Sequence, residues 1–559
     1  MLGMIIPGRS SKARGPLIKV ARSLKFNQTD VAYLNRTPGA PTDAKKGTIS
    51  LWLKRASLAG YQTNYGGAFY ATDTSGQDFM AVGVDASTGV DYIYIVGFSG
   101  AAWTLRSVLK LMDTSAWCHV VVALDSTQAV AANRARVYVN GAEVTSWSTD
   151  GRASIALNSV FQFFQAAVAK FISRYHVSYG YFDGLMAEYR YVDGQALTPD
   201  SFGVLGPNSQ WVPKPYTGTY GAQGFYLDFS DNSAATAATI GKDTSGNGNN
   251  WTPNNFSVAA GVGNDSAFDS PVDFDDGTVH GNFANLMFYG TGGEHPLGAA
   301  APCSLREART AYVGGTSNQG AISSLMMRSG KWYCEFICQT VGGLNGIVRE
   351  DQPFTFSFPG SAGSLSWAQF TDGQKYGPAG NSAYGAAFAA GDIMGCAFDA
   401  DTGKIWWHKN GVWQAAGDPV NGVNPGFTVT LSAGKGWRFV IGHNPNANQA
   451  INFGQRPFNY PPPAGFKALC TTNLPATDAP ITAGSFVGNA LANGPMVDLG
   501  GPPSSMTING NVVTFGTHAR KTAQGVKIIS ALAAYNVSGA NTFTAVVPIS
   551  RKYARAQFN

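Results

Sequence analysis

A chain of 559 residues with 44% hydrophobic residues, 13% charged residues and a formal net charge of +5 is long enough for three or four domains of ordinary size. Its hydrophobicity excludes an intrinsically disordered chain, and 68 glycines with 28 prolines exclude a protein built on long helices. No stretch reaches the roughly 18 consecutive apolar residues of a membrane-spanning helix, so no membrane insertion is expected and an all-β protein with glycine-rich turns remains.

Residues 1–22 form a basic arm. Residues 1–25 hold six basic groups and no acid, residues 499–559 hold six more and no acid, and the chain between them carries a net charge of −7. Basic ends on an acidic body predict docking of those ends on an acidic partner, because complementary potentials steer association. The candidate assembly contacts are Arg9, Lys12, Arg14, Lys19 and Arg22, with Arg520 and Lys521 near the other end. Nucleic-acid binding competes for the same charge, but no aromatics interleave with it and no known nucleic-acid motif follows, so no nucleic-acid partner is expected. The apolar patch of the arm is interrupted by Gly3 and Pro7 and is too short for a signal peptide.

Residues 23–205 read as short strands cut by turn residues, as at Thr48 to Leu53, Asp91 to Val96 and Arg136 to Val139, the pattern of a β-sandwich. Asn140-Gly141 sits between two such runs and predicts a tight hairpin. Four pieces resemble a concanavalin A-like, laminin G-type jelly roll. They are Ser23 to Phe26 with Leu51 to Leu53, Trp117 to Val122 with the following hairpin, Tyr181 to Glu188, and Gln195 to Pro199. The resemblance implies two packed antiparallel sheets whose loops or concave face bind glycans, sometimes with calcium. Calcium needs several converging oxygen ligands, whereas Asp73, Asp78 and Asp85 read as exposed turn formers, so neither a metal nor another cofactor is expected. His119, flanked by apolar residues, reads as a packed core histidine.

Residues 206–275 are rich in Gly, Asn, Ser and Pro and read as a connector. Asp243, Ser245, Asn247 and Gly248 imitate the opening of an EF-hand loop, but Asn254 occupies the position of the bidentate glutamate and no helices flank it. The runs Phe225 to Ser233 and Asp243 to Phe256 resemble a phrase of bacteriophage tail proteins, where it joins a laminin G-like domain to a SPRY-like one.

Residues 276–470 read as a second β-sandwich, with strands at Lys331 to Ile337, Ile393 to Asp399, Lys404 to Trp407 and Trp437 to Ile441. Gly391 to Trp413, closing with Ile451 to Phe458, resembles the SPRY (B30.2) sandwich, an interaction module presenting variable loops. Tyr376, Tyr384 and Trp413 are the candidate ligand-binding aromatics of the loops, able to stack on sugar rings or a partner, with core packing or simple exposure as the alternatives. Asp399, Asp401 and His408 read as turn and strand residues, not catalysts. The six cysteines (118, 303, 334, 338, 396 and 470) lack Cys-x-x-Cys spacing and are expected reduced and buried. Residues 471–559 read as a small C-terminal β domain, with a hairpin at Asn509-Gly510.

No G-x-S-x-G, H-E-x-x-H or phosphate-cradling loop occurs, so no enzyme is expected. A glycosidase needs only two carboxylates at the right separation, and a glycan-degrading tail enzyme therefore stays as an alternative. The combined expectation is an all-β chain of tandem antiparallel sandwiches acting as a virion structural protein of a bacteriophage tail. Such a fibre, spike or appendage subunit would be assembled in the host cytoplasm. Its expected partners are other virion proteins, sister copies in a trimer or another cyclic homo-oligomer, and a host-surface glycan or protein. A head or neck decoration protein and a free lectin are the other readings.

Overall fold

The structure is a computed structural model that describes residues 18–56, 67–72, 78–85, 90–111, 113–176, 180–206, 211–289, 303–314, 320–352, 358–443 and 447–474, and beyond these only strands. Every regular element among the described residues is a β-strand or a single 3-10 turn. Both expected sandwiches are present, each made of two sheets.

The strand Lys46–Arg55 shows why the first sandwich forms. Side chains alternate across a strand, so Ile49, Leu51 and Leu53 enter the core while Thr48, Ser50, Trp52 and Lys54 face the other way. Cys118–Asp125 and Gly184–Asp193 pair on either side of it, antiparallel. The opposing sheet contributes Met80, Ile93, Ile95 and Leu105 to the same core, all fully buried. The hairpin at Asn140-Gly141 has φ of 48° and 82°, as a type I′ turn requires.

The outward residues of Lys46–Arg55 are buried as well: Trp52 and Lys54 are each 2% exposed. Their cover comes from the stretch read as a connector. Phe225–Leu227 pairs with Gly184–Asp193, Thr252–Asn254 with Tyr33–Arg36, and Ser266–Ala267 with Ser23–Phe26. Most of this stretch is therefore integral to the first sandwich and extends both of its sheets, while from Phe268 it passes to the second, Phe268 N donating to the Gln455 carbonyl and Asp269 bridging to Gly281.

The loop that imitates an EF-hand is a staple. The Asp243 carboxylate accepts the backbone N–H groups of Tyr226 (2.9 Å), Ser245 (2.8 Å) and Asn249 (2.7 Å). Asn247 and Asn249 each donate to the Gly224 carbonyl, at 2.9 and 2.8 Å. The polar phrase thus folds inward and satisfies backbone groups that would otherwise be stranded. Asp243→Ala is expected to destabilise the protein by about 2–3 kcal/mol, because buried donors lose a charged acceptor; urea denaturation checks this.

The second sandwich packs a seven-stranded sheet, with Trp437–His443 near its middle, against a nine-stranded sheet centred on Lys331–Cys338. Cys334 and Cys396 are cross-strand neighbours and fully buried, and Cys338 and Cys470 also lie in the core. Burial pushes the Cys470 thiol up to about 12. Cys118 is only half-buried, so the expectation of burial fails there; the Cys303 side chain lies outside the described residues.

The two sandwiches meet through a buried polar junction. Lys54 Nζ lies 2.7 Å from Asp269 Oδ2 and donates to the Phe283 carbonyl at 2.9 Å, while Trp117 Nε1 donates to Asp269 Oδ1 at 2.8 Å. Lys25 pairs with Asp265 at 3.2 Å and with Glu307, and Arg309 donates to the Ala56 carbonyl. Asn282 and Asn285 donate to the carbonyls of Ser115 and Thr114, at 2.9 and 2.6 Å. An apolar cluster containing Val20, Trp52, Trp117, Val272, Phe274 and Ala308 fills the same junction. Tandem modules held this way keep a fixed relative orientation.

In the C-terminal piece two four-stranded sheets are described. Ile508 pairs with Asn511 across the expected hairpin turn. Arg520 and Lys521 lie on the strand Ala519–Thr522, and their side chains are outside the described ones.

Candidate functional site

The buried histidines His119 and His408 are both held within networks of hydrogen bonds. His119 is 1% exposed, and its ring stacks on Trp52 at 4.9 Å between centroids. Trp211 Nε1 donates to Nδ1 at 2.8 Å, so the ring proton sits on Nε2, which lies 2.9 Å from Ser50 Oγ. Burial and the nearby Arg190 guanidinium hold this histidine down at about 3. It is a packed histidine as expected, but it faces the outer side of its sheet, under Trp211.

His408 is 2% exposed and equally committed. Its Nδ1 accepts the backbone N–H groups of Gly395 (3.3 Å) and Gly411 (3.1 Å), and its Nε2 lies 2.8 Å from the Tyr333 hydroxyl. Burial lowers it to about 4. The Glu335 carboxylate beyond Tyr333 accepts from the backbone of Asn459 at 3.0 Å and of Tyr460 at 2.7 Å. Asp399 instead caps its turn, accepting from Asp401 N at 3.0 Å and Thr402 N at 3.2 Å. These groups are structural, and none is poised to exchange a proton with a ligand.

On the second sandwich the connection after Trp413 is tied to the segment before Asp392, to the strand Gln374–Gly377 and across itself. Gln414 Oε1 accepts from Ala386 N at 2.6 Å, Lys375 Nζ donates to the Gly426 carbonyl at 2.7 Å, and Asn424 Nδ2 donates to the Ala416 carbonyl at 3.2 Å. Trp406 Nε1 and Lys404 Nζ hold the same connection through the carbonyls of Val423 and Gly422, at 2.8 and 2.9 Å. Ala415 and Ala416 adopt φ of 51° and 53°, a conformation that costs a non-glycine residue about 1–2 kcal/mol and persists only when its surroundings impose it.

The rings of Tyr376, Tyr384 and Trp413 are half-buried against the domain's own strands. Tyr376 packs edge-on against Phe370 at 5.7 Å, Tyr384 against Trp407 at 5.8 Å, and Trp413 against His408 at 4.9 Å. Burial drives the Tyr384 hydroxyl up to about 12. Of the readings the sequence left open for these aromatics, packing within the domain is the one their rings adopt. The apolar groups presented outward are Val412, 73% exposed, with Val420 and Val423. Sequence gave no signal for them, since a valine in a loop looks like any other.

The first sandwich contains a cavity of about 540 Å³ where the chain crosses from one sheet to the other. Leu53, Leu109, Leu111, Val139 and Val144 line it, with Trp117 and Cys118 in one wall. The half-buried Asp113 and the exposed Glu143 bring carboxylates to it.

Against known families, residues 28–201 match the concanavalin A-like lectin/glucanases superfamily. The first sandwich is a concanavalin A-like domain of the laminin G type. Solved structures similar to parts of the chain include the SPRY domain of human HERC1 (17% identical, TM-score 0.22, covering 27% of this chain and 91% of that one). Another is the native heptameric SAP-like pentraxin of Limulus polyphemus (15% identical, TM-score 0.24, covering 32% of this chain and 80% of that one). A curated relative, the E3 ubiquitin-protein ligase RKP of Arabidopsis thaliana, is 28% identical over 135 residues, or 24% of this chain. The chain spans 10% of that relative's length.

In the laminin G-type domain, Asp78 is buried rather than exposed, and its carboxylate accepts from Phe98 N at 2.5 Å. Asp73 and the Asp85 side chain lie outside the described residues. Of the arm residues, Lys19 pairs with Asp276 at 3.3 Å, and Arg22 donates to Ser266 Oγ at 3.2 Å while lying 4.8 Å over the Phe268 ring. These two expected assembly contacts are instead engaged within the chain, because the arm's last residues lie along the junction. Arg9, Lys12 and Arg14 lie outside the described residues.

Proposed function

We propose that this protein is a non-enzymatic structural subunit of a bacteriophage tail that attaches to a host-surface glycan or protein through the loop face of its second sandwich. The observation that carries the reading is the connection after Trp413, tied to the segment before Asp392 and across itself, which leaves Val420 and Val423 exposed, with Val412 exposed on the adjoining hairpin. Rigid loops lose little entropy on binding, so modest contacts suffice for useful affinity. The tail-protein phrase in residues 225–256 supports a place in the tail, and the engagement of His119 and His408 in the fold supports attachment over catalysis at those residues. The basic C-terminal segment suits anchoring to the particle or to sister subunits, and several copies would multiply weak single-site affinity.

Two measurements test it. Immunogold electron microscopy with antibody to residues 276–470 is expected to label the tail; label confined to the head would overturn the placement. Val412→Asp with Val420→Asp is expected to reduce binding of the purified chain to host cells about tenfold at an unchanged melting temperature. Unaltered binding would reject the loop face as the attachment surface.

A further inference from the structure

The cavity of the first sandwich plays no part in the proposed attachment. Its lining is apolar, and its nearby charged groups include two acids, Asp113 and Glu143. One Asp113 oxygen accepts from Ser115, through the backbone N–H at 2.8 Å and the hydroxyl at 2.7 Å; Glu143 has only a long 3.9 Å approach to Arg136. Arg55 also lines the cavity and donates to the Leu111 carbonyl at 2.8 Å. An apolar cleft with an acidic margin fits an apolar peptide segment followed by basic residues.

The chain carries such a segment. Leu2, Met4, Ile5 and Ile6 precede Arg9, Lys12 and Arg14, with no acid among them. Where the described chain begins, Ile18 packs against the cluster that holds Trp117, and Trp117 lines the cavity. The dozen residues from Ile6 to Ile18 extend up to about 40 Å, ample to return to a cleft that Trp117 and Cys118 help to line. We propose that the cavity is the docking site of the chain's own N-terminal arm, with the Leu2 to Ile6 run in the cleft and the arm's basic residues against Asp113 and Glu143. Docking keeps the arm's charge on the body of its own chain and leaves the C-terminal basic segment to serve as the anchor.

Cys118, half-buried in the cavity wall, reports occupancy through its alkylation rate, read by peptide mass spectrometry on the full-length chain. Ile5→Asp with Ile6→Asp is expected to raise that rate about tenfold if the native arm is docked about 90% of the time, and Glu143→Arg to raise it in the same direction. Cys334 and Cys396, fully buried in the second sandwich, should stay slow in both variants, and an unchanged melting temperature should show the first sandwich still folded. Equal Cys118 rates in native and variant chains would overturn the proposal. Protection of the native chain that disappears on dilution would also overturn it, since a second copy's arm would then be the occupant.

Discussion

Asp269→Ala is expected to cost about 3–5 kcal/mol, the scale of breaking a buried ion pair by removing one partner. Asp269 is 3% exposed and holds both Lys54 and Trp117 of the first sandwich. Its loss leaves the Lys54 ammonium in the junction without its counter-charge. Differential scanning calorimetry should show a lowered transition that separates into two as the sandwiches uncouple. Lys54→Met combined with Asp269→Leu should restore most of the loss, because an apolar pair of similar volume removes both desolvation penalties. A single unshifted transition for Asp269→Ala would mean that the junction does not couple the domains.

The second large effect is the stability that one buried carboxyl, Asp183, withdraws as pH rises from about 4 to 7. Burial, reinforced by the Glu307 carboxylate, raises Asp183 to about 7, against the opposing pull of Arg309, Lys25 and Arg55. Its Oδ1 is buried without a hydrogen-bond partner among the described residues. Between about pH 4 and 7 the folded protein keeps a proton on Asp183 that the unfolded chain has released, so the contribution of this residue to stability falls across that window, by on the order of 4 kcal/mol. Asp265, raised to about 6 chiefly by burial, acts with the same sign. His119 and His408, held at about 3 and 4, act oppositely. Below the ordinary histidine range the unfolded chain gains protons that the folded state refuses, and stability falls toward acid. Comparison with Asp183→Asn isolates the aspartate: the variant should match the native protein near pH 4 and exceed it above pH 7. Parallel curves of unfolding free energy against pH would refute the assignment.

These two effects come from residues that local sequence reading treats as ordinary. Lys54 sits on an alternating strand where the rule places a solvent-facing lysine, and Asp183 looks like a turn residue before a strand. The junction that buries both is assembled from segments more than 200 positions apart, such as Lys54 with Asp269 and Phe283. No local pattern encodes such a meeting. The same reason explains why residues 206–275 read as a connector: their turn-rich composition is real, but Asp243 and the asparagines beside it turn that polarity inward onto Tyr226 and Gly224. The sequence places the aromatics Tyr376, Tyr384 and Trp413 in loops, whereas Tyr376 and Trp413 lie on short strands, and their partners Phe370, Trp407 and His408 were not legible.

By itself the sequence determined what depends on near neighbours. Two-residue alternation specified the strands and the inward faces of both sandwiches, and Asn-Gly pairs specified hairpins because they tolerate positive φ. Only the tertiary structure decided what covers the outer face of each sheet, which charges become buried, and which segments are tied together. Those outcomes depend on contacts between distant segments, where burial and electrostatics act through space and leave no periodic trace along the chain.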